Sequence, residues 1–137
     1  MIKSFQELEV WRKAHDLVLR TYRVTDSFPD RERHRIISQV RRSAASIPAN
    51  IAEGFGRRTT KELLQFLANA NGSLEEIRYF LILSRDLGYM AKERYEELEM
   101  ECNSVAQMMA ALGRSLKSRL ALNHGSRATS YGTRQNG

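Results

Sequence analysis

A lone cysteine, Cys102, excludes an intrachain disulfide and with it cysteine-rich zinc sites, iron–sulfur clusters and dithiol redox chemistry. Only two prolines and eight glycines interrupt the 137 residues, and four of those glycines fall at or beyond Gly113. That is too little turn chemistry for a β-rich fold. Nowhere does the chain hold the roughly 18 to 20 uninterrupted apolar residues that a membrane span requires. The opening MIKSFQELEVW turns charged and amphipathic where a secretory signal needs a continuous apolar core, so a cytoplasmic location is expected. What remains is an all-α chain of 15.8 kDa, large enough to bury a core without staples.

Acidic residues are the scarcer sign, 16 against 22 basic, and 17 of the basic residues are arginine. Arginine's planar fork grips phosphate in a bidentate way, which lysine cannot do. From Arg31 to Arg58 seven arginines meet only Glu32 and Glu53, a net +5, and the tail from Asn123 adds +2.

Hydrophobic periodicity predicts four helices. The first opens at a Ser4/Glu7 capping box and runs to about Thr25, with Leu8, Trp11, His15, Val18 and Tyr22 on its core face. The second, capped by Asp30, carries Ile36, Ile37, Val40, Ala44, Ile47 and Ile51 to a stop at Gly54 and Gly56, with a kink expected where Pro48 interrupts the hydrogen-bond ladder. Thr59 or Thr60 caps the third, whose stripe of Leu63, Phe66, Leu67, Ala70, Leu74, Ile77, Leu81 and Ser84 lasts to Gly88. The fourth, with no good cap at Met90-Ala91, places Tyr95, Leu98, Cys102, Val105, Met109, Leu112, Leu116 and Leu120 on one side. Its short loops predict an antiparallel up-down-up-down four-helix bundle over residues 1–122. The polar, basic remainder, residues 123–137, has no aliphatic residue larger than alanine and is expected to be disordered.

More apolar surface is present than one bundle core needs. Val10, Leu17 and Val24 form a second line at heptad spacing, and Tyr79, Phe80, Ile82 and Leu83 lie off the main stripe of the third helix. Helices apolar on several sides are buried on several sides, which predicts a homo-oligomer with Val10, Leu17, Val24, Tyr79, Phe80 and Leu83 at its interface.

Catalytic patterns are sparse. No E-x-x-H or H-x-x-x-H places ligands on one helical face, so neither metal nor cofactor is expected. Gly54-Phe55-Gly56 is too short for a phosphate loop, and Cys102 sits on a core stripe as an inert thiol. Arg119 and His124 resemble the loose R-x(4–6)-H pattern of helical ribonucleases of the HEPN class, yet they straddle the end of the last helix, where nothing holds them in geometry. His15 reads as a packed histidine before it reads as a ligand. The expectation is a protein that is not an enzyme and takes no small-molecule substrate.

The second helix holds the most suggestive feature. On an ideal wheel Arg31, Arg35 and Arg42 fall within about 40° of one another, opposite the aliphatic face. With Arg41 on the flank and Arg57 and Arg58 just beyond the helix, they make a basic ridge suited to a phosphate backbone. The bland reading, a solvated charged face, weighs equally. The chain shows no obvious aromatic platform for stacking single strands.

The segments FQELEVWRKAHDLVLRTY, QVRRSAASIPANIAEGFGRRTTKE and LANANGSLEEIRYFLILSRDLGYM resemble the four-helix-bundle proteins encoded in intervening sequences of bacterial 23S ribosomal RNA genes. The likeness covers about residues 4–118. It implies a ring-like homopentamer with no enzymatic activity established. A related branch, the accessory variability determinants of diversity-generating retroelements, implies binding to RNA and to a reverse transcriptase. On the matching block the resemblance marks Pro48, Asn50, Glu53 and Gly54 as family positions, and Arg41, Arg42, Arg57 and Arg58 as candidate RNA contacts. Asn50 and Glu53 also read as structural, closing the helix and pairing with a neighbouring arginine. Two classes of function stay open: a nucleic-acid-binding scaffold, and a structural or protein-adaptor oligomer that binds no nucleic acid.

Overall fold

Ser4 and Glu7 form the expected capping box: the Glu7 carboxylate accepts from the backbone N–H of Lys3 (2.9 Å) and Ser4 (3.1 Å), and the Ser4 hydroxyl accepts from Gln6. They cap a single 3-10 turn, Phe5–Glu7, after which the extended Leu8 hands over to α1, Glu9–Thr25. The computed structural model describes the backbone of residues 2–135 and the side chains of residues 2–123.

The core face of α1 is Val10, Ala14, Leu17, Val18, Thr21 and Thr25; of the Leu8–Trp11–His15–Val18–Tyr22 line that the apolar spacing suggests, Val18 is buried, Leu8 and Trp11 pack partly against the core, and His15 and Tyr22 are exposed. The small Ala14 and the threonines let neighbouring helices approach closely. Each buried hydroxyl is satisfied within the helix, Thr21 donating to Leu17 O and Thr25 to Thr21 O, both at 2.8 Å, so burying them leaves no orphaned group. This overturns part of the predicted oligomer surface. Leu17 is fully buried and Val10 is 7% exposed within the chain's own core, Val24 is half-buried, and the outward face falls to His15, Leu19 and Tyr22, with the half-buried Trp11 at its edge.

Phe28 turns inward against Tyr89, ring centroids 5.6 Å apart, and closes that end of the core. The chain then passes through a 3-10 turn, Asp30–Glu32, and a π-type turn, Arg33–Ile37, before α2, Ser38–Phe55. Non-helical dihedrals occur at Arg35 (φ −121°, ψ −106°), whereas α2 is one element through the buried Pro48. Thr59 caps α3, Thr60–Asp86, by accepting from Glu62 N at 3.1 Å, and Gly88, at φ 79°, takes the left-handed conformation that ends it. Leu67, Ala70, Leu74, Ile77, Leu81 and Ser84 are buried as expected, as are Leu98, Cys102, Val105, Met109 and Leu116 of α4, Lys92–Gln135. The expectation of disorder over 123–137 concerns side chains that, from residue 124, lie outside the described residues.

Each helix packs on its neighbours in sequence, and α4 closes back on α1, which is the up-down-up-down four-helix bundle. Contact between α2 and α3 is the most extensive. There the two backbones come close at Gly54, where a Cβ would stand 2.7 Å from Phe66 Cβ and 2.9 Å from Leu63 Cδ1. A polar seam accompanies this approach: Ser73 donates to Ser46 at 2.8 Å, and Ser43 donates to Glu76. Among the described residues, no helix is long and apolar enough to cross a membrane.

Candidate nucleic-acid interface

The expected ridge depended on one continuous helix from Arg31 to Arg58. The 3-10 turn, the π-type turn and the break at Arg35 reset the register, so helical periodicity does not align Arg31 and Arg35 with Arg42, although all three are exposed. Arg41 is engaged elsewhere. Its guanidinium donates to Thr25 Oγ1 and Asp26 Oδ1, both at 2.9 Å, and lies 4.5 Å over the Tyr22 ring, which makes it a clamp between α2 and α1. Arg42 is exposed and donates to Gln39 of its own helix.

Glu53 pairs with Arg57 one turn on (3.6 Å), which bears out pairing with a neighbouring arginine but not with Arg35 or Arg42. Arg57 also covers the Phe66 ring at 4.8 Å, while Arg58 makes no ion pair among the described residues. Asn50 donates to Ser46 O (2.8 Å) and Ser46 Oγ (3.0 Å), a structural role in the polar seam, and Gly54 provides the close approach to α3.

The structure adds Lys61, Arg114 and Lys117 to the cations named from the sequence. Arg57, Arg58 and Lys61 stand where α2 meets α3, and the same end of the bundle receives the later turns of α4 with Arg114, Lys117 and Arg119. Arg114 and Lys117 rim a groove of about 460 Å³ between α3 and α4, whose walls are Leu64, Leu67, Ala106 and Met109. The signal was present in the sequence: no acidic residue follows Glu101. The first turns of α4 hold the opposite balance, with Glu93, Glu96, Glu97, Glu99 and Glu101. The bundle is therefore electrically polarised along α4, with its positive end beside the α2–α3 junction.

Two further sets of side chains define the surface. Tyr79 is 58% exposed and lies edge-on to Phe80 at 5.6 Å; Ile82 is exposed beside them, and Phe80 and Leu83 are half-buried. On α1, Phe5 meets Trp11 edge-on at 5.0 Å and Trp11 stacks on the exposed His15 at 5.0 Å with a 9° interplanar angle. His15 is thus not packed against another helix.

Cys102 offers no nucleophile, since burial pushes its thiol up to about 12. The Tyr89 and Tyr95 phenols are raised because they donate, at 2.6 Å, to Glu32 and Glu99. Among the described residues, no three His, Cys, Asp or Glu side chains converge to hold a metal ion. Of the Arg119 and His124 pair, His124 lies outside the described side chains.

The fold has a solved counterpart, a protein of unknown function from the S23 ribosomal protein family of Bacteroides thetaiotaomicron. It is 22% identical, superposes with a TM-score of 0.68, and the match covers 75% of this chain and 96% of that one. No curated protein sequence matches the chain. The profile of the 23S rRNA-intervening sequence proteins matches residues 6–111, which takes in the helix that bears the aromatic stack, the α2–α3 junction and the apolar walls of the groove, and ends before Arg114 and Lys117; the chain belongs to that family.

Proposed function

We propose that this protein is a non-enzymatic, self-associating bundle that binds structured RNA through phosphate contacts at the positive end of the helices. The supporting observation is the collection of Arg57, Arg58, Lys61, Arg114, Lys117 and Arg119 at one end, with the acidic residues of α4 gathered towards the other. Backbone phosphates are the chemistry such a surface suits: charge and shape are read, and sequence is not. Exposed Arg42, Arg31 and Arg35 extend the positive field along α2 and the turns before it. Self-association is supported by the exposed Tyr79 and Ile82, apolar side chains that a lone bundle leaves in water. The homopentamer implied by the resemblance is the assembly proposed, and a reverse transcriptase is the protein partner that its retroelement branch suggests.

Light scattering followed by a salt titration of affinity for a structured RNA tests the reading. The expected result is a mass near five subunits, with affinity that falls linearly on a log–log plot against salt. A pentamer indifferent to RNA at low salt would leave the protein-adaptor reading, which the exposed Tyr79 also favours.

A further inference from the structure

The outward face of α1 carries planar groups in sequence. Phe5 stands edge-on to Trp11, Trp11 stacks on His15, and His15 is exposed, so the stack ends at a ring that water reaches. One and two turns on, Leu19 (40% exposed) and Tyr22 (42% exposed) continue the row, and Tyr22 is itself covered by Arg41. This is the face that the sequence assigned to the core. Ala14, Leu17 and Thr21 fill that role, so Trp11 packs only partly against the core and His15, at the end of the stack, is left exposed.

The charge around the row favours a polyanion. Arg12, exposed at the edge of the stack, has its Nε held by Gln6 O at 2.9 Å, which fixes the guanidinium and leaves its Nη groups for another acceptor. Of the carboxylates close by, Glu7 accepts from the backbone of Lys3 and Ser4, Asp16 pairs with Arg20 at 2.7 Å and Asp26 with Arg41, which leaves Glu9 as the one on this stretch with no ion pair among the described residues. Moreover, the Phe5–Glu7 turn packs on α2, and α1 runs antiparallel to α2. The Phe5–Trp11–His15 end of the row therefore lies at the end of the bundle where Arg57 and Arg58 stand.

We infer that the Trp11–His15 stack is a platform for unpaired nucleobases, so that single-stranded segments of an RNA are held by base stacking on α1 while their phosphates meet Arg12, Arg57 and Arg58. The inference rests on the RNA-binding reading and adds to it the feature of the RNA that is recognised. Every base has a π-face, so the platform prefers unpaired over paired nucleotides without selecting a sequence. A second copy of the chain is the competing occupant. The polar rim of arginines and the imidazole at the exposed end suit a nucleotide better than an apolar helix.

Trp11 is the sole tryptophan, so its fluorescence reports on the platform directly. The probes are single-stranded oligouridylate and oligoadenylate of about 12 nucleotides, within the span that single-strand-binding folds cover, and an RNA hairpin whose stem holds the same number of nucleotides. The expected result is quenching of Trp11 by the single strands and not by the paired stem. His15→Ala, at an exposed position, should weaken single-strand affinity about 5- to 100-fold, as loss of one stacking partner does, while hairpin affinity and thermal melting stay unchanged. His15→Tyr, which restores a planar ring, should recover most of the loss. Salt-sensitive RNA binding with Trp11 unquenched and His15→Ala equal to the parent would overturn the platform and leave the RNA reading standing. Absence of salt-sensitive binding to any probe would overturn both. A drop in scattering mass on His15→Ala, with Trp11 emission shifting on dilution in the absence of RNA, would assign the face to a second copy and overturn the platform likewise.

Discussion

Arg41 Nε donates to Thr25 Oγ1 at 2.9 Å, and this one contact joins the first full turn of α2 to the last turn of α1. The Thr25 hydroxyl donates in turn to Thr21 O, and the other end of the guanidinium reaches Asp26 and lies over Tyr22. An arginine that reads as an RNA contact in the sequence is a structural clamp in the fold. With its side chain only 25% exposed, its hydrogen bonds are partly shielded from water.

Arg41→Ala should therefore destabilise the bundle by about 1.5–3 kcal/mol, the range for hydrogen bonds to a charged group, as measured by urea denaturation. Arg41→Lys should recover little, because an ammonium cannot reproduce the fork that meets Thr25 and Asp26 while lying flat on Tyr22. Arg58→Ala, at an exposed position, should leave the urea midpoint in place.

Two glycines should respond with opposite signs. At Gly54 an added Cβ meets Phe66 Cβ at 2.7 Å, and neither backbone can yield without parting α2 from α3. Gly54→Ala should cost about 1–3 kcal/mol, the range for overpacking. At Gly72, inside α3, a Cβ meets nothing within 4 Å, so Gly72→Ala should stabilise by about 0.5–1 kcal/mol through the lower helical entropy cost of alanine. Thermal melting of the two variants checks both signs.

The buried thiol makes an alkaline prediction. Burial raises Cys102 from 9.0 to about 12, so the folded state holds its proton more tightly than the unfolded state. That contribution is fully present below pH 9 and is lost as pH rises from 9 towards 12. Cys102→Ala should be less stable than the parent at pH 7, because it leaves a cavity among Leu98, Val105 and Leu81, and the gap should narrow above pH 9. Urea midpoints from pH 7 to 10.5 decide it: a gap independent of pH would remove the linkage. A thiol reagent at pH 8 should label Cys102 only as fast as the protein opens.

How far the sequence was legible depended on whether the signal was local. The α3 stripe, the Thr59 cap and the Gly88 stop are carried by residues whose preferences are strong and short-range, and they stand where expected. The register of α1 was not legible, because two neighbouring stripes are both apolar enough to be core. Small side chains and self-satisfied threonines decide between them, and neither counts as hydrophobic in a periodicity. The exposed Trp11–His15 stack follows from that register, so it was hidden for the same reason. No proline or glycine marks the break at Arg35, and the wheel that drew a single arginine ridge ran straight through it. The acid-free run after Glu101 was legible all along. Its meaning needed the antiparallel packing that brings those turns of α4 beside Arg57 and Arg58.

That packing yields a prediction at the level of single residues. If phosphate contacts are made at the positive end, each contributing cation releases counterions when RNA binds, and removing it lowers the log–log salt slope by about 0.7–0.9. Arg58→Ala and Lys117→Ala should each do so, and the double variant should lose about twice as much, since one side chain sits in the α2–α3 turn and the other on α4. Arg41→Ala should leave the slope alone, its charge being matched by Asp26. Lys92, at the acidic end of α4 beside Glu96, provides the control: Lys92→Ala removes the same unit of net charge, so an equal loss of slope there would mean that the protein binds RNA through overall charge and that the arrangement of its arginines plays no part.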